Sequence, residues 1–467
     1  MRGPSVHRTT THSPLPLTAA LLAALALAPA AITLAGDAKP ATAVASDRVL
    51  DTKAARALGL APGWQTRLPK AEATPLAGVH AGDAHEGRGE ELYAWDNTGV
   101  VIKIDPKTGE LRWQSAGVFS KDSSGLIDVQ TTTVKGQPVT VGLGDVSCVV
   151  LDERSGAERG LSPYTRIPVT RAVRTGKDFV FGSRAGQVVW LSFREERIAS
   201  QLERRTGDPV TKGERVAVVH VVPYELQAFQ LGGAIQTPPV STGKSIIACS
   251  NTGEIACFSD ETRTPVWKQK LPGGIVAAPS ADATQVMVAC RDQYLRSMDI
   301  ATGRTNWRWF TESPLERAPL LVGDIVVIQV PELGLVALDA SDSKSLNRAP
   351  LWTTKVEGDA IARLADGLLV WDAASGTLSL VDHKSGKVRE ARTLGAGVQS
   401  VQATAPIGGD LLILMKDGRL QRCPPLTPFT MPTRTAAPAQ TETPAATSAE
   451  AAPADAAPAA QPTDGGA

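Results

Sequence analysis

Apolar and polar residues alternate in short runs along most of this chain, and the runs come in pairs joined by turn residues. Val100, Val101, Ile102 and Ile104 read as one strand. Asp105, Pro106, Thr108 and Gly109 follow as a turn. Asp folds its side chain back onto nearby backbone N–H, Pro fixes φ, and Gly accepts a positive φ. Leu111 to Trp113 then resumes an extended run that ends on a large ring. The pattern predicts strand, tight turn, strand over Lys103–Trp113.

The same pattern returns. Positions equivalent to Asp105 are Asp152, Ser192, Ser259, Asp299, Asp339 and Asp382, at spacings of 47, 40, 67, 40, 40 and 43 residues. A half-unit, Leu411 to Gln421, follows and stops at Pro424-Pro425. Each full unit divides into four strands. In the fourth, these are the run to Val240, Ser245 to Ser250, Glu254 to Phe258, and Pro265 to Leu271. Turn pairs recur at Asn97-Thr98-Gly99, Ala185-Gly186, Thr252-Gly253, Ser375-Gly376 and Asp417-Gly418; such pairs are strong hairpin signals. The middle strands are apolar on both faces, as sheets packed face to face require. Four strands repeating about every 40 residues is the spacing of propeller blades.

The two ends of the repeat fit each other. Trp64 to Leu68-Pro69 reads as a lone strand, matching the outer strand Trp267 to Leu271-Pro272. It supplies the strand that the last half-unit lacks, which removes free edges. The expected fold is therefore all-β: an eight-bladed β-propeller of four-stranded antiparallel blades over residues 64–424, closed by an N-terminal strand.

Flanking segments differ. Residues 1–36 read as an export signal, with Arg2, His7 and Arg8 before an apolar run from Leu15 to Ala31 and small residues at cleavage spacing. An uncleaved anchor is the rival reading, disfavoured by Pro16 and Pro29. No cysteine follows the apolar run, so a lipid anchor is not expected. Residues 37–63 are a polar, Ala-rich linker in which Asp51 to Leu60 favours one short helix. Residues 425–467, rich in Ala, Pro and Thr, have little to bury and are expected to be disordered. The long spacing between Ser192 and Ser259 reflects about 27 inserted residues within Arg194–Phe229. Loops on a rigid ring often carry function, so Arg204, Arg205 and Tyr224 are candidate partner contacts. A decorated surface loop or extra hairpin, with Val216 to Val222 strand-like, is the plainer reading.

Charge narrows the partners. Lys plus Arg and Asp plus Glu number 48 each, which argues against a nucleic-acid surface. The five cysteines, Cys148, Cys249, Cys257, Cys290 and Cys423, form no CxxC, so no zinc site or covalent haem is supported. They read as small buried hydrophobes, with a Cys249 disulfide to Cys290 or Cys257 as the alternative.

The repeated hairpin resembles the pyrroloquinoline quinone (PQQ) type propeller repeat, roughly A-x-D-x-x-T-G-x-x-x-W. Asp105, Thr108, Gly109 and Trp113 match it, as do Asp299, Thr302, Gly303 and Trp307. Asp339 matches the start, with the ring delayed to Trp352. Asp382 and Gly386 keep the turn, as do Asp152 and Gly156; Trp267 keeps the ring. With Trp64, five of the nine tryptophans fall on the repeat position. The resemblance implies that these rings dock between blades. It also implies either a quinoprotein dehydrogenase or a member of the non-catalytic branch, which includes a periplasmic propeller lipoprotein of outer-membrane barrel assembly. Dehydrogenases of this family hold PQQ and calcium with adjacent cysteines, and no two cysteines are adjacent here. No ligand positions are carried over.

Other chemistry has little support. His80 and His85, near Asp83 and Glu86, form a pair with metal-binding potential that reads better as a solvated loop. No GxSxG, P-loop or HExxH occurs. The expectation is an exported, monomeric scaffold of the periplasm or cell envelope, without a cofactor. It would bind envelope or secreted proteins, or a small ligand in the funnel, and would touch a membrane only through an uncleaved signal. A PQQ- or metal-dependent oxidoreductase and a carbohydrate-binding or carbohydrate-active propeller are the alternatives.

Overall fold

A computed structural model describes residues 48–69, 75–82, 89–119, 125–198, 218–341 and 348–429. The signal-like segment and the Pro/Ala-rich segment from residue 430 onward lie outside them. Among the described residues no helix is long and apolar enough to cross a membrane.

Eight four-stranded antiparallel sheets account for the described strands. Blade one runs through Leu76–Gly82, Glu91–Asp96, Val101–Ile104 and Leu111–Gln114. Blade four runs through Val240–Ser241, Ser245–Cys249, Glu254–Ser259 and Pro265–Lys270. The strands of blades one to seven are ordered in space as in sequence. Blade eight takes Val398–Ala403, Leu411–Met415 and Arg419–Cys423 from the C-terminal side. Its outer strand is Gln65–Arg67, with Gln65 opposite Gln421 and Arg67 opposite Arg419. The fold is the eight-bladed propeller that the repeat predicts, closed by an N-terminal strand.

Burial explains the two-faced apolar strands. All six residues of Glu91–Asp96 and of Ile325–Val330 are buried, whereas the outer strand Pro265–Lys270 has none that is. Eight apolar clusters occupy the eight gaps between neighbouring blades. At the ring closure, Leu412 and Leu414 of blade eight pack with Leu92 and Ile102 of blade one. Burial of apolar area across each gap stabilises the ring, because no blade covers its own faces.

The repeat residues build a wedge at these gaps. Trp64 donates its Nε1–H to the Pro106 carbonyl at 2.9 Å, and Trp113 to Glu153 at 2.8 Å. Trp267 donates to Ile300 at 2.6 Å, and Trp352 to His383 at 2.9 Å. Each ring lies on the turn glycine of the next blade: Trp64 on Gly109, Trp113 on Gly156, Trp267 on Gly303, Trp352 on Gly386. The turn aspartates hold the backbone that presents those glycines. Asp105 accepts from the Lys107 and Thr108 amides, Asp299 from Thr302, and Asp382 from Lys384 and Ser385. Trp307 departs from the pattern. The turn after Asp339 has no glycine to receive it, Arg348 lies over the ring at 5.1 Å, and the buried indole N–H has no partner among the described residues.

The segment before the first strand is packed onto the ring. Asp51 caps the helix Thr52–Ala57 by accepting from the Ala54 amide at 2.8 Å. Leu50, Ala55, Leu58 and Leu60 join Leu369, Leu380, Ile413 and Met415 between blades seven and eight. The buried carboxamide of Gln421 accepts from the Leu50 amide and donates to the Leu50 carbonyl, both at 2.8 Å. Residues just past Pro424 are held too, through a 2.8 Å bond from the Leu426 amide to Gly59.

The five cysteines are free and buried, with no disulfide among them. Burial pushes the Cys148 thiol up to about 12 and Cys423 up to about 11.

Candidate functional site

Among the described residues, two places stand out as candidate sites. The first is the outer edge of blade three. Ser192, the position equivalent to Asp105, does not begin a turn there. The strand continues as Gln187–Ile198 and pairs with Val218–Gln230 along its whole length. The insertion therefore lengthens the last hairpin of the blade into an arm.

The arm leans on blade two. Gly160 of blade two meets the Val221 carbonyl so closely that an added Cβ would lie 2.3 Å from it. Phe193 and Val221 are buried in a cluster with Val134, Val139 and Phe179. Glu195 pairs with Lys135 at 3.0 Å and with Arg159 at 3.5 Å. Exposed ion pairs contribute little, so the apolar contacts position the arm and the charges orient it.

Tyr224 sits on this arm opposite Ser192, half-buried, with the Arg194 guanidinium 5.2 Å from its ring centre. Below it, Arg166 bonds Gln187 at 2.7 Å and pairs with Glu225. An open cleft of about 450 Å³ adjoins, lined by Arg166, Ser183, Arg184 and Gln187 among others. Arg204 and Arg205 lie outside the described residues. The structure thus joins Tyr224 to Arg194, Glu225 and Arg166, a grouping that sequence spacing did not suggest.

The second place is the funnel on the inner strands of blades one to four. A cavity of about 350 Å³ is lined there by His80, Glu91, Gln130, Thr131, Arg174 and Ser241 among others. Its foundation is Asp128, which is completely buried. Asp128 faces His80 Nδ1 of blade one at 3.2 Å. It accepts from its neighbours Val129 N at 3.0 Å and Gln130 Nε2 at 2.6 Å, and from the Ala172 amide of blade three at 3.2 Å. One carboxylate so ties three successive blades. Burial alone would raise its pKa; the His80 ring, the Arg171 charge and the Gln130 bond outweigh that and hold it below the usual aspartate value.

His80 is therefore not part of a solvated loop. It lies in the strand Leu76–Gly82, and His85 is outside the described residues. Among the described residues, no three His, Cys, Asp or Glu side chains converge as a metal cluster. The sequence reading missed Asp128, Gln130 and Arg174. The available signal was Asp128 itself, a charge inside the otherwise apolar start of Leu126–Val134. The other predicted residues, from Trp64 to Gly386, stand at the wedges described above, except Trp307 and Asp339, where the wedge is not formed.

Comparison with known proteins follows this geometry. The chain matches the family described as outer membrane protein assembly factor BamB over residues 182–422. Outer membrane protein assembly factor BamB of Bordetella pertussis is 23% identical over 165 residues, 34% of this chain and 41% of that protein. The match thus spans about two fifths of that relative's length. The crystal structure of BamB from Moraxella catarrhalis superimposes with a TM-score of 0.54 at 15% identity, covering 78% of this chain and 97% of that one. The computationally designed protein Ika8 gives a TM-score of 0.51 at 14% identity, covering 76% and 97%. At these identities the two structures speak for the propeller alone. The family match covers more than half of the 467 residues and includes the wedges at Trp267 and Trp352, and on that ground this chain belongs to the BamB family of PQQ-like propellers.

Proposed function

We propose that this protein is an exported scaffold of the cell envelope that holds a protein partner against the arm of blade three. The carrying observation is the arm itself: a long hairpin anchored to blade two through Phe193, Val221 and Gly160. A rigid ring with one positioned projection suits binding, because little ordering entropy is lost when a partner docks. The Tyr224–Arg194 stack and the Arg166 cleft supply an aromatic and cationic surface of the kind enriched at binding hot spots. Arg204 and Arg205 extend that surface in sequence.

Family membership sets the context. Relatives carry the description of outer membrane protein assembly factors, and a partner from that machinery is the first candidate. The apolar N-terminal run and its small-residue cleavage spacing support export.

Site-directed photo-crosslinking from Tyr224 in the intact cell tests the reading. An adduct with an envelope assembly protein is expected, and replacement of residues 199–217 by a short Gly-Ser turn is expected to remove or weaken it. An unchanged adduct after that replacement rules out Arg204 and Arg205 as contacts. No adduct from Tyr224 or its arm neighbours, in a protein that fractionates with the envelope, sinks the arm as the partner site. Recovery of the full-length chain in the cytoplasm sinks export.

A further inference from the structure

Blade five carries an aromatic and cationic patch that shares no residue with the arm or the funnel. The blade runs through Ser280–Ala281, Gln285–Ala289, Tyr294–Asp299 and Thr305–Phe310. Its last two strands put Tyr294 opposite Phe310 and Arg296 opposite Arg308. Trp307 and Trp309, alternating with them, are buried in the cluster shared with blade six. Phe310 is 49% exposed, and among the described residues it is the one exposed aromatic ring. The ring centres of Tyr294 and Phe310 lie 5.2 Å apart with their planes at 46°, which leaves an open V between them. Arg296 and Arg308 lie over the Tyr294 ring at 5.0 and 5.2 Å. Asp292 holds Arg296 with bonds of 2.8 and 2.5 Å, which fixes the base of the patch, and Arg308 is exposed.

Two guanidiniums directly opposite each other on neighbouring strands repel unless countered. Asp292 counters Arg296, and an acidic chain laid along the strand would counter Arg308. Thr305–Phe310 holds no acidic residue, and Glu312 is the first acid after it. An aromatic cradle with a cationic rim suits a proline-rich acidic segment. Proline rings pack on aromatic faces, and a proline-rich chain is extended before it binds, so little entropy is lost.

This chain carries such a segment. Residues 430–467, outside the described residues, hold six prolines, four acids and one base, Arg434. Three of the acids stand two residues from a proline: Glu442 from Pro444, Asp455 from Pro453, and Asp464 from Pro462. Two residues of extended proline-rich chain span about 6 Å, close to the roughly 7 Å between Arg308 and Phe310 along a strand. The described chain ends at Phe429, whose ring lies 5.7 Å from the Arg363 guanidinium of blade seven. The 38 residues beyond it reach on the order of 100 Å when extended, and blade five is two blades away. Tethering gives this segment a higher effective concentration than any free competitor.

We propose that residues 430–467 dock on the blade-five patch, with a proline seated against Phe310 and Tyr294 and the neighbouring carboxylate on Arg308. The apolar contact supplies most of the affinity, because an exposed ion pair contributes little.

Photo-crosslinking in the full-length protein tests this, with a benzoylphenylalanine at residue 310 and peptide mapping of the adduct. An intramolecular adduct within residues 430–467 is expected. A glutamate-specific protease provides the second readout, through cleavage after Glu442 and Glu450. Phe310→Ser and Arg308→Glu are each expected to speed that cleavage about tenfold, because proteolysis follows the undocked population. Phe310→Tyr is expected to keep the wild-type rate, and thermal melts report whether each variant is folded. Equal cleavage in wild type and in folded Phe310→Ser overturns the proposal. So does the absence of any adduct within residues 430–467, including the case in which residue 310 reaches only a second copy or another protein. These readouts do not involve the arm, so they fail or succeed separately from the scaffold reading.

Discussion

Trp64 and Pro106 are 42 residues apart and joined by a 2.9 Å hydrogen bond from the indole Nε1–H to the carbonyl. Trp64 stands at the start of the strand that completes blade eight, and Pro106 lies in the turn of blade one. Arg422 donates to the same carbonyl at 2.9 Å and pairs with Glu90 at 2.6 Å and Asp410 at 2.5 Å. The seam between first and last blade is thus made by the same wedge as those at Trp113, Trp267 and Trp352, reinforced by a buried guanidinium.

The wedge sets the cost of adding a methyl group to its glycine. Gly109 has φ +77, and a Cβ there would lie 2.5 Å from the Trp64 ring. Gly136 has the same φ and nothing within 4 Å. Gly136→Ala is expected to cost about 1 kcal/mol from backbone strain, and Gly109→Ala about 3 kcal/mol once overpacking is added. Denaturant unfolding of the two variants checks this; equal losses would mean the ring does not press on the glycine.

Trp113 and Trp307 occupy the same repeat position with different partners. Trp113→Phe removes a bond to the Glu153 carbonyl, whereas Trp307→Phe removes a buried N–H that has none among the described residues. Trp113→Phe is expected to be the more destabilising by about 1–2 kcal/mol. Chemical denaturation decides the order, and a larger loss at Trp307 contradicts it.

Asp128 gives the fold an acid limit. Its carboxyl lies below the usual aspartate value in the folded protein, so the folded state binds its proton less readily than the unfolded chain. That contribution is fully present above about pH 4 and is lost as pH falls through the folded value. Asp128→Asn is expected to be less stable than wild type at neutral pH and to show a shallower decline on acidification. Melting temperatures across pH 2 to 7, an interval set by the aspartate range, test it. Parallel curves for the two proteins would locate the acid sensitivity elsewhere.

Buried free thiols should be inert. Cys148, raised to about 12, and Cys423, raised to about 11, have almost no thiolate at neutral pH. Five thiols are expected to react with an aromatic disulfide reagent in denaturant and essentially none in the native protein. Three in denaturant would show a disulfide.

A scaffold needs no prosthetic group. Titration with PQQ and calcium is expected to leave absorbance and melting temperature unchanged. A stable complex that reduces a dye would replace the scaffold reading with a quinoprotein.

The period of Asp, Gly and Trp along the chain was enough to determine an eight-bladed ring, its four-stranded blades and its closure by residues 64–69. Those features are local: a turn needs Gly109 whatever surrounds it, and a strand buried on both faces must be apolar on both. Tertiary structure alone decided which glycine each tryptophan covers, because Trp64 and Gly109 meet only when the ring closes. It also decided that Asp128 binds His80 and Ala172 from two other blades, and that Tyr224 stacks with Arg194 on an arm. Those contacts join residues at separations the repeat does not encode, and they depend on how the blades pack around the funnel.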